Sequence, residues 1–86
     1  MLFAEVRVWK RLDDGQLVLY RCVQQVRGGL YAVQSADVFG ATAGAQALAE
    51  SDARFVELLR DTSPRERCSW HDTVESAIAA HDRDFS

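Results

Sequence analysis

The sequence predicts an α+β domain: a three-stranded antiparallel meander (β-β-β) followed by two or three C-terminal helices packed on one face. Three observations predict it. Residues 2–34 are rich in β-formers and are cut twice by glycine-bearing turns. After Phe39 the composition becomes small and alanine-rich. Near the C-terminus apolar residues recur at helical spacing.

The first strand runs from Leu2 to Leu12 and the second from Gln16 to Val26. Between them, Asp13-Asp14-Gly15 fits a three-residue hairpin loop, in which the last residue takes the left-handed conformation open to glycine. This loop sets Val8 opposite Tyr20, Val6 opposite Cys22 and Leu2 opposite Val26. A two-residue loop would put Val8 opposite Arg21 and scatter the apolar set. Gly28-Gly29 reads as a two-residue turn into a third strand, Leu30 to Ser35. Val26 then faces Tyr31, and Gln24 faces Val33. One sheet face collects Leu2, Ala4, Val6, Val8, Val18, Tyr20, Cys22, Val26, Tyr31 and Val33 as a core face.

Residues 40–49 read as loop passing into a weak helix. A firmer helix spans Ser51 to Asp61, with Ser51 or Asp52 as its cap and Phe55, Val56, Leu58 and Leu59 as its apolar side. Ser63-Pro64-Arg65-Glu66 stops it and resembles a capping box opening a short turn. The alternative there is a brief extended segment from Arg67 to Trp70. Val74, Ala77, Ile78, His81 and Phe85 line one face of a last helix. Asp72 is expected to cap it with Glu75 reciprocating, and Trp70 to pack beneath it.

At 86 residues the chain has room for one domain, 1–86. Hydrophobic residues at 48% with a net charge of −3 exclude the low-hydrophobicity, high-charge signature of disorder. The segment Met1–Arg7 meets acidic and basic residues at once, unlike a secretory signal. No apolar run approaches the roughly 18 residues of a membrane span, so no membrane partner is expected. Cys22 and Cys68 share no motif spacing and read as reduced thiols of a cytoplasmic protein. Residues 1–34 carry a net +2 and residues 35–86 a net −5, a distribution that argues against nucleic acid as the partner.

The search for chemistry returns little. His71, Glu75, His81, Asp82 and Asp84 do not complete a zinc set, so no metal and no cofactor are expected. His81 lies on the apolar stripe and reads as a structural histidine rather than a general base. Cys68 follows Arg65 and Arg67, which could lower its pKa, but an inert thiol is preferred. Ser69, His71 and Asp72 are neighbours in sequence, which is not a triad. Gly40 to Gly44 lacks the ending of a phosphate loop. No catalytic residues are assigned.

The second sheet face is the informative one. Phe3, Arg7, Trp9, Arg11, Leu17, Leu19, Arg21 and Val23 share it, mixing arginines with large apolar groups where a solvated face should be polar. These eight residues form the candidate interaction face. The leading expectation is a non-enzymatic protein-interaction module that self-associates as a homodimer through this outer face or through an edge strand. The next is that the alanine-rich segment folds back across the face. Single-stranded nucleic acid, with Phe3 and Trp9 stacking bases against the sheet arginines, comes last. A separate alternative, resting on charge alone, is a small acidic inhibitor of the antitoxin kind that masks a basic partner.

Overall fold

The computed structural model describes residues 2–85. Strands β1 (Phe3–Arg11), β2 (Leu17–Gln25) and β3 (Tyr31–Phe39) form one antiparallel sheet in the order β1-β2-β3. Helices α1 (Ala45–Asp61), α2 (Pro64–Arg67) and α3 (Val74–Phe85) follow.

The first hairpin has the expected loop. Leu12 N donates to Gln16 O, Gly15 sits at φ 87°, and Asp14 Oδ1 accepts from Gln16 N. Val8 pairs with Tyr20 and Val6 with Cys22, as the apolar pattern required.

The second hairpin differs. Gln25 N donates to Leu30 O and Gly29 N to Gln25 O, closing a four-residue loop over Val26–Gly29 rather than a two-residue turn. Tyr31 therefore pairs with Gln24, not with Val26, and Val33 with Cys22, not with Gln24. The physical reason for the miss is plain. A slip of two residues leaves every side chain on the same face, so burial pattern cannot detect it. Val26 is instead held by β1, its amide donating to Leu2 O. Both glycines do adopt left-handed backbone, at φ 104° for Gly28 and 73° for Gly29.

The third strand runs four residues past the expected Ser35 and contains a bulge. Cys22 pairs with Val33, but Arg21 pairs with Ser35, leaving Gln34 as the extra residue. Beyond the bulge the alternation inverts. Ser35, Asp37 and Phe39 join the face of Leu19, Arg21 and Val23, while Ala36 and Val38 join the face of Tyr20 and Cys22.

The helices divide between the two faces instead of sharing one. Helix α1 begins at Ala45, because alanine is the strongest helix former and residues 45–49 supply it repeatedly. Ser51 and Asp52 are thus mid-helix and cap nothing; Gly44 occupies the N-cap. Ser51 and Phe55 are buried, with Leu48 and Leu58 half-buried on the same stripe, and they cover the face that carries Arg21. Val56 and Leu59, expected on the apolar side, are largely exposed.

After α2, whose Ser63 cap accepts from Arg65 N, the chain rounds the β3 edge. His71 and Tyr31 exchange both backbone hydrogen bonds there, each at 2.8 Å. Trp70 is consequently left on the α1 side, stacked on Phe3 at 6.1 Å and 12°, and does not lie under α3. The core cluster on this side is Val23, Ala32 and Phe55, with Phe3, Cys68 and Trp70 around it.

Helix α3 covers the opposite face. Thr73 caps it, its Oγ1 accepting from Ser76 N, in place of the expected Asp72. Ala77 and Ala80 are the residues it buries. Val74 and Ile78 are half-buried, and Phe85 is 78% exposed, contrary to its expected burial. The cause is the docking of the helix by Asp82, whose carboxylate accepts from Tyr20 Oη at 2.9 Å. That contact turns the small residues inward. His81 is half-buried, edge-on to Tyr20 and against Phe85. Among the described residues, no helix is long and apolar enough to cross a membrane.

Candidate interaction surface

The eight residues of the candidate face are on one side of the sheet, but the structure splits them. Leu19, Arg21 and Val23 are at most 1% exposed beneath α1 and present nothing to a partner. For these three, the expectation of a bare interaction face is wrong, because α1 lies over the face through Ser51, Asp52 and Phe55. Phe3 is half-buried under Trp70. Arg7, Trp9, Arg11 and Leu17 remain exposed along β1 and at the hairpin end. Trp9 packs on Phe39 at 5.8 Å yet keeps 46% of its surface open.

Arg21 is the pin of the covered half. Its Nε donates to Ser51 Oγ at 2.9 Å, and Ser51 in turn donates to Asp37. Its other nitrogens pair with Asp52 and, at 3.5 Å, with Glu5, and its guanidinium lies 5.5 Å from the centre of the Phe55 ring. A buried cation is tolerated only when paired and hydrogen-bonded, and here three carboxylates and a hydroxyl do that. Arg7 stands directly opposite Arg21 on β1, and the repulsion is bridged by Glu5 and Asp52, which both arginines share. The hydrogen bond from Arg7 to Glu5, and then the Coulomb attraction of that carboxylate, raise the Arg7 pKa further. The bulge at Gln34 brings Asp37 into this network, and sequence pattern carries no sign of it.

The β1 edge has a definite phase. Leu2 O accepts from Val26 N, and Leu12 N donates to Gln16 O. Even-numbered positions therefore bond inward to β2, through Ala4, Val6, Val8 and Lys10. Phe3, Glu5, Arg7, Trp9 and Arg11 turn their backbone N–H and C=O groups outward. Among the described residues no strand pairs with that outer edge. The strand has nine residues without proline, glycine or bulge, and charged Glu5, Arg7, Lys10 and Arg11 are what protects its edge. Beside it on the α3 face, Ala4, Val6 and Val8 are only half-buried. The β3 edge is different: it is bulged at Gln34 and bridged by His71.

A groove lies between β3, α3 and the turn after α2, lined by Val33, Gln34, Cys68, His71, Ala77 and His81 among others. Its chemistry is subdued. The Cys68 thiol donates to Gln34 Oε1 at 3.2 Å, and burial pushes its pKa up, outweighing the nearby Arg67. Cys22 is buried, and its thiol is pushed up to about 11 by desolvation. Neither cysteine forms a disulfide. Burial favours the neutral thiol over the thiolate at both positions. Among the described residues no cluster of metal-ligating side chains occurs. No family model, no curated protein and no solved structure matches the chain.

Proposed function

We propose that the protein is a non-enzymatic interaction module that takes up its partner by strand addition along β1. The observation that supports this is the outward row of backbone groups at Phe3, Glu5, Arg7, Trp9 and Arg11, on a nine-residue edge without a bulge. Main-chain hydrogen bonds to such an edge supply affinity, and alternate side chains supply specificity. The half-buried Ala4, Val6 and Val8 give the added strand an apolar flank, and Glu5, Arg7 and Trp9 flank its other side. Binding of single-stranded nucleic acid is less well supported, because Arg21 is already committed to carboxylates and Arg7 is ion-paired.

Arg7→Pro tests the proposal. Proline there removes an outward amide, a loss that an edge strand tolerates. The immobilised wild-type chain should retain its partner from an extract of its own cell, and the Arg7→Pro chain should not, at similar melting temperature. Equal retention by both would refute strand addition. Because proline also removes the arginine side chain, the stricter variant is an N-methyl amide at Arg7. It is reachable by joining a synthetic 1–21 segment to a 22–86 segment that begins at Cys22.

A further inference from the structure

Resting on the strand-addition reading, we infer that the partner is a second copy of this chain, paired antiparallel through β1 about a two-fold axis at Val6. The phase of the edge limits the choices. Outward groups are on odd positions, so a symmetric antiparallel pair must match odd residues with odd ones. Registers displaced by one residue oppose outward groups to inward ones and are excluded. A symmetric parallel pair is excluded as well, since it sets each residue beside its own copy, where parallel bonding needs the neighbouring position.

Charge then rules out two of the allowed registers, and the apolar face rules out a third, because an axis at Val8 would set Val6 against Lys10. An axis at Arg7 would set Arg7 against Arg7, Glu5 against Trp9 and Phe3 against Arg11. An axis at Glu5 would set Glu5 against Glu5. Like charges directly opposite are destabilising. An axis at Val6 pairs Glu5 with Arg7, Phe3 with Trp9, Ala4 with Val8 and Val6 with itself, while Lys10 can lay its stem over the exposed Leu2. Every pair is complementary. The odd pairs would form about eight backbone hydrogen bonds, two at each hydrogen-bonded pair.

The register also suits each face. On the α3 side, Ala4, Val6 and Val8 of both copies become one continuous apolar strip between the two α3 helices. On the α1 side, Glu5 and Arg7 of one copy extend the network that already joins them to Asp52. Two three-stranded sheets become a single six-stranded sheet with both open edges consumed.

The experiment joins sedimentation velocity to residue-resolved hydrogen exchange on the wild-type chain, then adds charge reversal. The wild type should sediment as a dimer at tens of micromolar and dissociate on dilution. On dimerisation the Glu5, Arg7 and Trp9 amides should slow by about tenfold or more, while those of Val6 and Val8, already bonded to β2, change little. Glu5→Arg alone and Arg7→Glu alone should each be monomeric. A one-to-one mixture of the two variants should restore the dimer, because every opposed pair is then of opposite sign. A monomeric wild type at several hundred micromolar would overturn the inference. So would a dimer whose Glu5 and Arg7 amides exchange as in the monomer, or one indifferent to both reversals. If the wild type is monomeric yet Arg7→Pro still abolishes partner capture, strand addition stands and only the second copy is lost. If neither test responds, both fall.

Discussion

The two halves of the sheet are built from similar strands and finished differently. At the middle of β2 both faces are covered: α1 lies over Leu19, Arg21 and Val23, and α3 lies over Tyr20. Along β1 the cover thins out, the edge is unpaired, and Ala4, Val6 and Val8 are half in water. Arg21 and Arg7 make the contrast exact enough to test. They are cross-strand partners sharing Glu5 and Asp52, but Arg21 is 1% exposed and Arg7 keeps 41% of its side chain open. The same ionic chemistry is therefore structural on one strand and adaptable on the next. Burial, not charge, separates stability from availability.

The largest expected effect lies in the closed half. Arg21→Ala should cost about 3–4 kcal/mol, since it strands Asp37 and Ser51 and leaves a hollow beside Phe55. Urea unfolding measures it; a loss below about 1 kcal/mol would show that the network is ornamental. Next comes the loop that aligns β3 with β2. Gly29→Val should cost about 1–2 kcal/mol, because a β-branched residue is strained at φ 73°. Unchanged thermal stability would contradict that backbone.

Arg7→Ala should cost at most about 1 kcal/mol, as its ion pairs are exposed and screened by salt. Stability comparable to that of Arg21→Ala would erase the distinction between the halves. The smallest effect concerns Tyr20. Burial, and then its hydrogen bond to Asp82, raise its pKa above the usual 10.0. A folded-state pKa above the unfolded one means that its contribution is intact below about pH 10 and is lost as pH rises through the folded value. Tyr20→Phe should flatten that alkaline loss in melting temperature measured from pH 8 to 11. If the variant and the wild type fall in parallel, the Tyr20–Asp82 contact is not what holds α3.

Much of this architecture was legible because short-range chemistry speaks for itself. Gly15 and the two aspartates before it specify the first loop, and that loop sets the β1–β2 register residue by residue. Composition separates the strands from the helices that follow, and the mixed face of Trp9, Leu17 and Arg21 leaves two covers open, a second copy first and the alanine-rich segment next. The strand order and the helical character of residues 74–85 needed nothing more.

Other features depended on contacts far apart in sequence. The bulge at Gln34 leaves no local mark, yet it carries Asp37 to Arg21 and Phe39 to Trp9. The turn at Gly28-Gly29 is compatible with two registers a pair of residues apart, and the one adopted is marked by Gln25 bonding to Leu30. Which helix takes which face follows from His71 bridging Tyr31, because that bridge carries the chain round the β3 edge. Periodicity tells a strand that it has two faces and a helix that it has one stripe. It does not tell either which partner will arrive, since that is decided when long-range burial of Arg21, Phe55 and Ala77 is satisfied in one arrangement.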